Sequence, residues 1–176
     1  MVIKRIQIQV FIAIIFISSP VFSQDDLQQL ITKITTAEKF TEDIKSNVIT
    51  FFSEEEKRGF VENSRIESLY ALLACVKDKT SVDENFALTI FEINNIVKKN
   101  AELSEFLSEL VSDIAYEYPE NFVKAYSSLE SSEQDKVDDC LFWLIEKDQY
   151  KEFKVNITKL EGEEYQESIS RLNKIG

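Results

Sequence analysis

The chain holds 176 residues, 32 acidic and 20 basic, for a formal net charge of −12, and it has no histidine. Without histidine, neither a Ser-His-Asp triad nor a Cys-His pair has its base, imidazole-based zinc sites are excluded, and two cysteines cannot supply a four-thiolate site. Apolar residues at 44% and aromatics at 11% argue for a packed globular chain rather than an acidic disordered tail.

Residues 1–23 are expected to form a secretory signal peptide. Lys4 and Arg5 supply a basic start and Val10 to Ile17 an apolar run. Ser18-Ser19-Pro20 then break the run before Val21-Phe22-Ser23, which ends on a small residue suited to cleavage. That apolar core is well short of the roughly 20 residues a spanning helix needs, and no cysteine follows for a lipid anchor. Cleavage would leave residues 24–176 as a single all-helical domain and, with Lys4 and Arg5 gone, a formal net charge of −14. The expected compartment is the periplasm or the extracellular space of a bacterium. No stable membrane insertion is expected after cleavage. An acidic balance disfavours nucleic acid, which is bound by Lys and Arg neutralising phosphates, and anionic lipid surfaces. It allows a basic protein partner without demanding one.

From Gln24 onward the periodicity is helical. Leu27, Leu30, Ile31 and Ile34 fall at i, i+3, i+4, i+7, as do Ile66, Leu69, Tyr70 and Leu73. A longer stripe runs Leu103, Phe106, Leu107, Leu110, Val111, Ile114 and Tyr118 before Pro119 closes it, and Val137, Cys140, Leu141, Leu144 and Ile145 repeat the pattern. Ser53-x-x-Glu56, Ser64-x-x-Glu67, Ser81-x-x-Glu84 and Ser131-x-x-Gln134 read as capping boxes. Helices are therefore predicted near 25–38, 41–52, 64–77, 81–99, 101–118, 119–129, 132–147, 149–160 and 163–174, with short links that favour antiparallel hairpins.

The fold class is all-α. A short right-handed array of antiparallel helix pairs, HEAT- or TPR-like only in a generic sense, is favoured narrowly over a compact multi-helix bundle. Phe142 and Trp143 project off the stripe of their helix, as Leu88 and Phe91 do off theirs, which suits helices covered on two sides. Glu84-Asn85-Phe86 also recurs as Glu120-Asn121-Phe122, 36 residues on.

Chemistry is harder to place. Cys75 and Cys140 could form one disulfide in an oxidising compartment, or remain two separate thiols. Carboxylate pairs for glycan cleavage can be drawn from Glu54, Glu55, Glu56, Asp135, Asp138, Asp139, Glu163 and Glu164, but 32 acids make such pairs inevitable. There is no Ser-x-x-Lys, phosphate loop or calcium loop, and Asn156-Ile157-Thr158 matches the glycosylation sequon. The best docking candidates are Asp113, Tyr116 and Glu117 at i, i+3, i+4, with Glu120 just beyond Pro119. Trp143 is a candidate interface anchor. No cofactor, metal or catalytic residue is expected. The leading expectation is an exported, non-catalytic protein that binds another protein in the cell envelope. The alternatives are an acidic immunity or inhibitor protein capping a basic toxin or enzyme, and a carboxylate-dependent hydrolase of cell-wall glycan.

Overall fold

A computed structural model describes residues 23–60, 66–146 and 148–175. The signal-peptide segment, apart from Ser23, lies outside these residues, and so does Ser64 of the second capping box.

The first helix, α1 (Gln24–Thr35), starts at a reciprocal cap. Ser23 Oγ accepts from the Asp26 N–H at 3.1 Å, and the Asp26 carboxylate accepts from the Ser23 N–H at 2.6 Å. Helix α2 (Glu42–Arg58) is capped by Thr41. It was expected to stop near 52, with Ser53 opening a new helix, yet it runs straight through Ser53. The reason is packing: Val48, Phe51, Phe52 and Glu55 continue one buried face past that serine. The helix ends at Gly59, whose φ of +73° is left-handed. The Gly59 N–H donates to the Glu56 carbonyl at 3.0 Å and the Phe60 N–H to the Glu55 carbonyl at 3.1 Å. This paired closure needs a residue at ease with positive φ.

Helix α3 (Ile66–Asp78) leads through a 3-10 turn at Lys79–Ser81 into α4 (Glu84–Ile96). Here Asp83, not Ser81, is the cap, accepting from the Asn85 N–H at 2.9 Å. The Ser81 hydroxyl instead donates back to the Asp78 carbonyl. Helix α5 (Ala101–Glu117), capped by Asn100, is separated from α6 (Pro119–Ser127) by Tyr118 alone. Proline suits the first helical position because its missing N–H would have no partner there.

The expected 132–147 helix is two pieces, α7 (Ser131–Cys140) and α8 (Phe142–Glu146). Glu130 and Glu133 form the capping box of α7, one residue before the expected Ser131 and Gln134. At the break, the Leu141 N–H bonds the Asp138 carbonyl at 3.1 Å. The Ser112 hydroxyl of α5 donates to the Cys140 carbonyl at 2.5 Å, meeting an acceptor freed by the break. Helix α9 (Tyr150–Ile157), a 3-10 turn at Glu163–Tyr165 and α10 (Gln166–Leu172) complete the chain.

The fold is all-helical, with no strand among the described residues. Helix α1 packs on α2 and α3, α2 on α4, α3 on α4 and α5, and α4, α5 and α6 on one another. Nearest and next-nearest packing of this kind is how helix pairs stack. Past α6 the pattern changes. Helices α7, α8 and α9 all pack on α5, while α9 and α10 pack on α6, closing one end as a bundle does.

A single apolar cluster runs from Leu27 to Leu172. Its aromatic centre is Phe122, whose ring lies 5.4 Å from Phe91, 5.8 Å from Tyr126 and 5.5 Å from Phe153. The two Glu-Asn-Phe segments both open helices, α4 and α6, that pack together, and Phe86 and Phe122 are both buried. The asparagines differ: the Asn85 amide bonds Asp83, whereas Asn121 donates to the Thr80 carbonyl.

Candidate functional site

The residues nominated on α5 are neighbours on one helix, but different helices claim them. Lys77 of α3 reaches Glu117 at 2.7 Å. Burial works against its ammonium, but Glu117 and, more weakly, Asp113 outweigh that penalty and hold the Lys77 pKa above its usual value. Tyr116 turns to α9 and donates to Glu152 Oε2 at 3.2 Å, so the nearby carboxylate raises its phenol pKa. Glu120 pairs with Lys124, one turn along α6, at 2.8 Å. The expected docking face is thus divided among internal partners. Spacing along a helix reports adjacency but not which neighbouring helix arrives.

Trp143 is half-buried on α8, where the more exposed side chains are its neighbours. Phe142 is 55% and Ile145 37% exposed. Beside them Ile145, Asp148, Tyr150, Lys151 and Lys154 line a hollow of about 240 Å³. Lys154 is held over the Tyr150 ring at 4.5 Å and donates to the carbonyls of Asn173 and Ile175, while the Tyr150 hydroxyl donates to that of Leu172. This hollow therefore sits on the lock that fastens the C-terminal helix.

Cys75 and Cys140 are both free thiols, so the disulfide considered from the sequence is not formed. Their surroundings differ. Cys75 of α3 accepts from the Thr35 hydroxyl of α1 at 3.7 Å, whereas Cys140 of α7 accepts from the Asn94 amide of α4 at 3.4 Å. Burial pushes the Cys140 thiol pKa up, against small opposing contributions from Ser108 and Asn94. That favours an inert thiol over a thiolate.

Several acids weighed for hydrolysis have structural partners. Glu54 meets Lys57 at 2.7 Å, and the buried Glu55 lies 3.6 Å from Arg58. The Glu56 carboxylate accepts the backbone N–H groups of Lys98 and Lys99 at 3.1 and 3.2 Å. Asp135 and Asp138 converge on Arg171, at 2.5 and 2.6 Å. The Arg171 Nε also donates to Asp138, its Nη1 to Ser131 Oγ at 3.3 Å, and the Tyr126 hydroxyl donates to the second Asp138 oxygen at 2.7 Å. Burial and this carboxylate push the Tyr126 phenol well above its ordinary range.

In front of that network lies a polar cleft of about 470 Å³, which the sequence reading did not anticipate. The end of α6, the start of α7, Glu164 of the last 3-10 turn and α10 enclose it. A signal was present: Glu167, Ser170, Arg171 and Lys174 recur at i, i+3, i+4, i+7. Theirs is a polar stripe, opposite the buried Ile169 and Leu172. Among the described residues no cluster of His, Cys, Asp and Glu side chains could hold a metal ion, and no helix is long and apolar enough to cross a membrane. No protein-family model matches the chain, and comparisons with curated proteins and with solved structures find no match either.

Proposed function

We propose that this is an exported, non-catalytic protein that works by binding another protein in the cell envelope. The observation that carries the reading is the uncovered apolar surface of α8. Phe142 and Ile145 stand open to solvent beside the half-buried Trp143, on a short helix that a self-contained fold had no need to leave apolar outward. The layout of residues 1–23 supports export. The acidic excess supports an alternative within the same class, an immunity or inhibitor protein that caps a basic toxin or enzyme, because opposite charge speeds capture.

The test is cross-linked affinity capture from envelope extract, comparing the wild-type chain with a Phe142→Asp/Ile145→Asp variant whose circular dichroism is unchanged. A discrete product with the wild type that is lost in the variant is the expected result. Recovery of nothing above background would overturn the reading, and equal recovery by both proteins would remove α8 from it.

A further inference from the structure

We infer that the outer face of α8 and α9 is the interface of a two-fold dimer, in which a second copy of this chain places its Phe142 in the hollow beside Ile145. The inference rests on the reading that α8 binds protein, and it names that protein. Three observations carry it. The first is where apolar surface lies. Among the described residues the exposed large apolar side chains are Val82, Phe142, Ile145 and Val155, and three of these four lie on α8 and α9. Ile145 and Lys151 line one hollow, with Phe142 one turn before the first and Val155 one turn after the second. The exposed face therefore runs across both helices.

The second is shape. A two-fold pairing needs one surface that fits itself, offering residue i to residue j of the copy and j to i. This face has both halves. Phe142 stands out into solvent, and next to it lies the hollow of about 240 Å³, lined by Ile145 and Tyr150 and flanked by Lys151 and Lys154. A cavity of roughly 150 Å³ holds a benzene ring, so the hollow has room for the phenyl group of a copy. Lys154, drawn over the Tyr150 ring and bonded to the Asn173 and Ile175 carbonyls, keeps its floor in place.

The third is charge. Residues 146–154 contain three acids (Glu146, Asp148 and Glu152) and three bases (Lys147, Lys151 and Lys154), whereas residues 101–120 hold six acids and no base. A second acidic chain is repelled by the latter stretch but not by the former. Asp148 and Lys151 lie 3.6 Å apart and are both almost fully exposed, so their attraction within one chain holds them only weakly. A two-fold axis passing between them sets Asp148 against the copy's Lys151 and the reverse. A basic or an acidic partner would match one of these charges; a copy matches both.

Sedimentation equilibrium of the purified protein tests the pairing. A concentration-dependent dimer is expected. It should tighten as salt rises from about 0.01 to 0.15 M, because screening relieves the repulsion between two acidic chains. Phe142→Asp, at an exposed position, should weaken it at least about thirtyfold, the scale of losing an interface anchor. Asp148→Lys and Lys151→Asp should each be monomeric alone, while their equimolar mixture, and the chain carrying both changes, should pair again. A wild type that stays monomeric, a dimer indifferent to Phe142→Asp, a dimer that loosens with salt, or no pairing in the mixture would overturn the proposal. A monomeric wild type that still captures a product of different mass through Phe142 and Ile145 defeats the second copy alone and leaves α8 to another protein. A dimer joined through Phe142, with no other protein captured, supports the second copy and defeats a separate envelope partner.

Discussion

The two parts of the molecule are built on different terms. Helices α1 to α5 run 12 to 17 residues, and side chains cap four of them: Ser23, Thr41, Asp83 and Asn100. They meet through apolar faces. Helices α7 to α10 run 5 to 10 residues, too short to be stable alone, and polar tethers supplement their packing. Ser112 holds the Cys140 carbonyl, Arg171 ties α10 to α7, and Lys154 with Tyr150 fixes the last carbonyls. Burial stabilises the first region wherever apolar area is covered. The second depends on individual donors and acceptors, so single substitutions should loosen it locally. The apolar surface of α8 and the polar cleft both belong to this tethered region.

The comparison can be broken most directly at Phe122, where the two regions share a core. Phe122→Ala removes a fully buried ring that touches Phe91, Tyr126 and Phe153. It should cost about 3–5 kcal/mol, read as one cooperative drop in denaturant midpoint by both far-UV and aromatic signals. Two separated transitions would show that the regions fold independently.

A smaller and more local effect is expected from Arg171→Met, which keeps the aliphatic stem and leaves Asp135 and Asp138 facing each other. The loss should be about 1–2 kcal/mol. Hydrogen exchange should quicken in α7 and α10 while α1 to α3 stay protected. Uniform acceleration would deny the tethered region its separate character.

The smallest effect concerns alkaline pH. Burial, with Glu102, pushes the Tyr70 phenol up to about 12, and Tyr126 and Tyr150 shift in the same direction. An unfolded phenol loses its proton near 10 while the folded one keeps it. Stability from these groups is therefore complete below about pH 10 and falls as pH rises through the folded values. Melting temperature measured from pH 8 to 12 should decline above pH 10, and less steeply in Tyr126→Phe. An unchanged slope in that variant would remove Tyr126 from the effect.

The helical architecture was legible because it rests on periodicity. The stripe from Leu103 to Ile114 predicts α5 within a residue of its observed bounds, and Pro119 marks the next start. Boundaries failed where tertiary contacts outrank a local motif. Ser53 has the pattern of a cap, but the buried Phe51, Phe52 and Glu55 carry the helix past it to Gly59. The helix breaks at Leu141 within a continuous stripe, and the Cys140 carbonyl freed there accepts from Ser112, 28 residues earlier in the chain. The α5 face was read correctly as neighbouring side chains, yet Lys77 and Glu152 come from other helices and divide it. The cleft is not marked by apolar periodicity, because the stripe of its helix that faces it, from Glu167 to Arg171, is polar.

The cap at Ser23 bears on maturation. Cleavage after this residue, where the leader is expected to end, would carry off the hydroxyl and the N–H that complete the reciprocal pair with Asp26. The new ammonium on Gln24 would then sit at the positive end of the α1 dipole, an unfavourable place for a cation. Asp25 and Asp26 in the first turn would offset part of that charge. A processed chain should therefore show a looser first turn than its precursor. The same protein before and after export would differ by a frayed end, worth roughly 0.5–2 kcal/mol of helix stability, and that difference would be a physical record of transit.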